Sequence, residues 1–238
     1  MAFRGQTVVV IGGSSGMGRA IAGACQARGA RVVVVGRNPQ RLESVRSEFG
    51  SGIETVQADA ADREAMERLF AGLGGLDHLV VTAADLTFKP FLELEAHDIQ
   101  RMIDSKLWGP INACQKAARH LNRGGSITLF SGLAAYKPAP GASIIAALNA
   151  GLEGLAKTLA LELAPIRVNV ISPGIVDTPV WSGMGDSERA KLYDSVAKTL
   201  PVGRVGSPED LAQAALFLMT SHFVTGTVIH ADGGGRLV

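Results

Sequence analysis

Short runs of valine, isoleucine and leucine alternate along this chain with longer stretches in which apolar residues return every three or four positions. A short apolar run bounded by turn formers reads as a strand buried on both faces, and the longer pattern as a helix with one apolar stripe. Strands are predicted at 7–11, 31–35, 53–58, 78–82, 126–130, 167–171 and 227–230. Helices are predicted at about 17–27, from Pro39 to near Gly50, from the capping Asp62 to about Phe70, at about 98–121, at about 143–163, and from Pro208 onward. Pro173-Gly174 opens an irregular stretch. Strand–helix alternation of this kind builds βαβ units. It predicts one α/β domain over residues 1–238, a doubly wound parallel sheet of about seven strands with helices on both faces. No repeat, low-complexity tract or linker divides it.

Composition narrows the function classes. The chain is 47% hydrophobic and carries a net charge of +1, without a basic tail or long charge run. No cluster is present to neutralise many phosphates, so nucleic acid is not an expected partner. Cys25 and Cys114 are too few for a disulfide framework or a thiolate metal site, and none of the five histidines has metal-ligand spacing. No metal is expected. Met1-Ala2-Phe3-Arg4-Gly5-Gln6 leads straight into a strand with no secretory pattern, and no apolar run reads as long enough to span a bilayer. Cytoplasmic residence and no membrane partner are the expectations.

The first strand runs into Gly12-Gly13-Ser14-Ser15-Gly16-Met17-Gly18 and then a helix. Glycines let the main chain approach a pyrophosphate, and the helix N-terminus offers unpaired N–H groups and a positive dipole end. The strand–turn–helix context makes dinucleotide binding the reading, although the spacing is Gly-x-x-x-Gly-x-Gly rather than Gly-x-Gly-x-x-Gly.

Further motifs follow in order: Arg167-Val168-Asn169, Pro173-Gly174, Pro201-Val202-Gly203-Arg204-Val205-Gly206, Pro208-Glu209-Asp210, Thr225-Gly226 and Asp232-Gly233-Gly234. With the glycine turn they resemble the short-chain dehydrogenase/reductase family nearly end to end. The resemblance implies a Rossmann-type fold, a nicotinamide cofactor, and cofactor contacts from Gly12, Ser14, Ser15, Gly16, Met17 and Gly18. It also implies contacts from Asp59-Ala60 beside the adenine, Ala83 after the fourth strand, Pro173 and Gly174, and Thr178 at the nicotinamide carboxamide. The end of the second strand reads Gly36-Arg37-Asn38, without the acidic residue that takes the ribose hydroxyls of NAD. Arg37 is suited to a 2′-phosphate, which favours NADP(H) over NAD(H); its alternative is a solvated loop charge.

The family's catalytic residues are replaced. Aligning Asn149-Ala150-Gly151-Leu152 with the family's Lys-Ala-Gly-Leu puts Ile145 at the tyrosine, Asn149 at the lysine, Gly132 beside Ser131 at the serine, and Lys106 at the asparagine. The thirteen-residue spacing from Gly132 to Ile145 is intact. Isoleucine donates no proton, so the standard ketone-reductase chemistry does not carry over. Lysine and asparagine have changed places between the two helices. Lys106 either brings its ammonium to the nicotinamide ribose or lies at the surface beside Asp104. Ser131, Lys106 and Asn149 are the candidate catalytic residues. Tyr136 reads as a loop aromatic packed on Pro138 and Pro140, Tyr193 as an amphipathic-helix residue, Trp108 as a helix-interface residue, and Trp181 as a candidate pocket wall.

Two function classes follow: an NADP(H)-dependent oxidoreductase acting on a small carbonyl, imine or iminium, or enone, and a dinucleotide-binding sensor or partner subunit without turnover. Non-redox chemistry on the same fold is a third. An open apolar cleft favours the first and a plugged one the second. The apolar circumference of residues 146–163, with the family's helix pairing, implies a homodimer or homotetramer. Residues 180–200 read as a mobile lid over the substrate.

Overall fold

The computed structural model describes residues 2–238. Its sheet has seven strands in the order β3-β2-β1-β4-β5-β6-β7, every pair parallel. They are β1 (Thr7–Ile11), β2 (Arg31–Gly36), β3 (Ile53–Gln57), β4 (Leu76–Val81), β5 (Leu121–Phe130), β6 (Arg167–Pro173) and β7 (Val228–Ala231). The helices are α1 (Gly16–Gln26), α2 (Pro39–Phe49), α3 (Arg63–Leu73), α4 (Ala96–Ile103), α5 (Gly109–Ala117), α6 (Ser143–Glu162), α7 (Asp186–Thr199) and α8 (Pro208–Thr220). The doubly wound architecture expected from the sequence is observed.

Strand alternation sorts the valines into two cores. Val8, Val10, Val32 and Val34 face α1, α2 and α8, whereas Val9, Ile11, Val33 and Val35 face α3, α5 and α6. A buried side chain of this size contributes about 1.5–3 kcal/mol, so covering both faces holds the sheet. Helix starts are fixed by side chains. Asn38 Oδ1 accepts the Arg41 amide at 2.9 Å, Asp62 Oδ1 accepts those of Glu64 and Ala65, and Ser207 with Asp210 forms a capping box. The buried Arg167 guanidinium donates to the carbonyls of Leu218 and Met219 at the end of α8.

Two expectations need correction. The helix predicted over 98–121 is α4 and α5 joined by a π turn at Asp104–Trp108, and β5 begins already at Leu121. Most of the segment read as a lid forms the helix α7, none of whose residues is fully buried, consistent with the helical reading of Tyr193. Finally, α6 is long and apolar enough to cross a membrane by length and composition. Its apolar residues have a local cause, since Ile145, Leu148, Leu152, Ala156 and Ala160 are buried inside this domain.

The chain leaves β1 first toward β2 and β3, then returns to the other side of β1 with β4. Ligands of doubly wound sheets bind at such a reversal, outside the carboxyl ends of the strands.

Candidate active site

The glycine turn fills that reversal. Gly12 has φ +85°, and a Cβ there would lie 2.6 Å from the Ala83 amide nitrogen. A Cβ on Gly18 would meet the Gly12 carbonyl oxygen at 2.4 Å. Only glycine lets the first turn of α1 close on β1 and on the chain after β4. Ser15 precedes α1 in an extended conformation without capping it, and no acidic residue occupies the first turn. The helix N-terminus is left ready for an anion.

A cleft of about 750 Å³ runs from this turn across the ends of the strands. Ser14, Ser15, Gly16, Met17, Arg37 and Asn38 line one end, with Asp59 and Ala60. Ala83, Lys106, Ser131, Asn149 and Thr178 lie along it, with Pro173 and Gly174. All the cofactor and catalytic positions singled out in the sequence therefore border one cavity. Several already have partners. The Asn38 side chain caps α2. Arg37 is exposed, but its Nη2 lies 3.2 Å from Asp85 Oδ2 and its Nη1 3.9 Å from Asp59 Oδ2, so it has carboxylate partners.

Lys106 is the least ordinary residue of the site. The π turn places it inward, 5% exposed, and its Nζ donates to the carbonyls of Phe130 at 2.8 Å and Ser131 at 3.1 Å. It neither reaches the surface nor pairs with Asp104, which accepts from Gln100 instead. Burial without a carboxylate pushes the ammonium down to about 8. Asn149 is buried beside it on α6. Its Nδ2 is 3.5 Å from the Gly132 carbonyl, and its Oδ1 has no partner. A Cβ on Gly132 would lie 3.0 Å from that Nδ2, so a larger residue there requires the Asn149 side chain to shift. Ile145 is buried one turn earlier on α6 and borders the cleft.

Sequence reasoning missed three participants. Glu153 is buried, and accepts the Ser131 hydroxyl at 2.7 Å and the Tyr136 hydroxyl. Tyr136 is therefore tied to Glu153, with its ring edge-on to His230 at 4.5 Å, rather than being a simple proline-packed aromatic. Desolvation and the Glu153 bond push the Tyr136 hydroxyl up to about 12. A carboxylate one turn after Asn149 on the same helix face was the available signal. Asp85 gave no signal, because it meets Arg37 only through the strand order. Phe88 stacks on Trp181 at 5.8 Å, and both border the cleft at its apolar end. Trp181 is thus the pocket wall its position suggested. Tyr193 donates to Asp177 at 3.0 Å, and Trp108 is half exposed in the π turn.

The comparisons agree with this geometry. A family model described as Enoyl-(Acyl carrier protein) reductase matches residues 11–235. A solved short chain dehydrogenase/reductase family protein superposes with a TM-score of 0.91 at 36% identity, covering 100% of both chains. The chain belongs to the short-chain dehydrogenase/reductase family. Carbonyl reductase family member 4 of Xenopus tropicalis is 32% identical over 96% of this chain and 97% of its own. A small-chain dehydrogenase solved in complex with NADPH is 36% identical, with a TM-score of 0.87 over 98% of this chain and 99% of its own. As a short-chain dehydrogenase/reductase the protein is an oxidoreductase with a nicotinamide dinucleotide cofactor.

Proposed function

We propose that this protein is an NADP(H)-dependent reductase of a neutral, largely apolar carbonyl or enone, with Lys106 in place of the family's tyrosine. The observation that carries the reading is the buried, carboxylate-free ammonium of Lys106, bordering the same cleft as the glycine turn. The cradle suits a dinucleotide: Gly12 and Gly18 permit close approach, α1 presents an uncapped N-terminus, and Arg37 supplies a cation for a 2′-phosphate.

When bound, the nicotinamide supplies a hydride to the substrate carbon. Ser15 to Gly18 hold the pyrophosphate, while Pro173, Gly174 and Thr178 border the nicotinamide end. Lys106 stabilises the negative charge developing on the substrate oxygen and gives it a proton, which water later restores. A lysine near 8 is suited to this at neutral pH, since it is mostly protonated yet acidic enough to transfer. Asn149 Nδ2, weakly held at 3.5 Å, is available as a second donor to the same oxygen. Ile145, with Leu86, Phe88, Leu133 and Trp181, makes the substrate end apolar and excludes water.

A buried ammonium repels a cationic substrate, so the same reading ranks an iminium ion below carbonyls and enones. The cleft is open rather than plugged, which supports turnover over a purely sensing role. Association of two copies along α6, where Leu161 is 81% exposed, belongs to this reading and is checked by sedimentation.

The test mixes protein and NADPH with an aromatic aldehyde, a cyclic diketone, a cyclic enone and a preformed cyclic iminium salt. Loss of NADPH absorbance with a carbonyl or enone, abolished by Lys106→Met, is expected. Turnover confined to the iminium salt, or unaffected by Lys106→Met, overturns the assignment.

A further inference from the structure

The contact between Arg37 and Asp85 crosses the cleft. Arg37 follows Gly36 at the end of β2, and Asp85 lies beyond Val81 at the end of β4. β2 and β4 flank β1, so this ion pair passes over the carboxyl edge of β1. Both residues border the cleft, and both main chains are tethered. Gln57 Nε2 donates to the Arg37 carbonyl at 3.2 Å, and the Asp85 amide donates to Ser105 Oγ at 2.9 Å. The side chains alone are free to exchange partners. Asp59 adds a second carboxylate 3.9 Å from the same guanidinium, while its Oδ1 accepts the Ala61 amide at 2.9 Å. Arg37 therefore brings one positive charge to a place where two negative charges already compete for it.

Building on the NADP(H) reading, we propose that Asp85 is a coenzyme-selectivity residue that competes with the 2′-phosphate for Arg37. The Arg37–Asp85 pair stays closed over NAD(H) and is exchanged for an Arg37–phosphate contact with NADP(H). The exchange runs in that direction because a phosphate carries nearly two charges and three acceptor oxygens, against one charge and two oxygens for a carboxylate. The competition nevertheless subtracts from the advantage that Arg37 confers. The chain binds both coenzymes, with a preference for NADP(H) smaller than an unopposed arginine gives.

Fluorescence titrations with NADPH and NADH on the wild type, Asp85→Asn, Arg37→Ala and the double variant decide the matter. Asp85→Asn is expected to tighten NADPH about three- to fivefold, the range of an exposed ion pair, and to move NADH less than twofold. Arg37→Ala weakens NADPH about tenfold or more and leaves NADH nearly unchanged. In the Arg37→Ala background the gain from Asp85→Asn disappears. An equal gain in that background identifies plain repulsion and overturns the exchange, as does an unchanged or weakened NADPH affinity in Asp85→Asn. A wild type that binds neither coenzyme refutes the NADP(H) reading itself, whereas a wild type that binds NADPH beside an inert Asp85→Asn refutes only the role of Asp85.

Discussion

Lys106 and Glu153 hold the same residue. Lys106 Nζ donates to the Ser131 carbonyl at 3.1 Å, and the Ser131 hydroxyl donates to Glu153 at 2.7 Å. Both ionisable side chains are buried, and uncharged groups satisfy them: carbonyls for Lys106, hydroxyls for Glu153. For Lys106 the cost of desolvation falls on its protonation, which makes pH the most direct probe of the site.

Reductase activity is expected to fall as pH rises through about 8, where Lys106 loses its proton. Lys106→Met should lower kcat by about 10²–10⁴, the contribution of a positioned acid. It should also remove that alkaline limb from the pH profile. A profile unchanged in the variant would mean another group supplies the proton.

Lys106 also shapes stability. Its folded-state value of about 8 lies below its ordinary 10.5, so between these values the unfolded chain binds more protons. Stability should accordingly rise with pH across that window, by about 3 kcal/mol at most. Urea denaturation at several pH values should show this slope in the wild type and its loss in Lys106→Met, with the variant the more stable near pH 7.

His78 sets the acid side. It is buried between Ser126 Oγ at 2.8 Å and Gln6 Oε1 at 3.3 Å, and burial pushes it down to about 4. Its contribution is fully present above 6.5 and is lost as pH falls from there through about 4. His78→Gln should flatten the stability curve over that interval, and a steep curve retained in the variant would place the acid sensitivity elsewhere.

Phe88 and Trp181 predict a separation of substrate from coenzyme effects. Trp181 Nε1 is anchored on the Val176 carbonyl at 3.0 Å, so its ring presents a fixed apolar surface to Phe88. Trp181→Ala is expected to raise KM for an apolar substrate about tenfold, the scale of about 1.4 kcal/mol, and to leave NADPH affinity within twofold. A matching loss of NADPH affinity would make the pair a coenzyme element.

Much of this was legible beforehand. Valine runs fixed the strands because a parallel sheet buries both faces, and the glycine turn announced its ligand through strand–turn–helix context. Where Lys106 points was not readable, because a π turn leaves no periodic trace distinct from an α-helix. The Glu153–Tyr136 and Arg37–Asp85 contacts join residues that are 17 and 48 positions apart. The second depends on which strands are neighbours, and the first on how the loop after β5 folds back on α6, neither of which local pattern encodes. The bounds of α7, read only as a helix around Tyr193, were obscured for a different reason. With no buried residue this helix carries little apolar periodicity.

The π turn at Asp104–Trp108 means that the chemistry of this cleft depends on helical phase. A π turn behaves as one surplus residue in an otherwise continuous helix. Deleting a single residue there would rotate Lys106 off the strand end relative to α5, where Asn112 stays clamped to the carbonyls of Ala60 and Ala61. The protein would keep every charge it has and lose the cation where the substrate needs it.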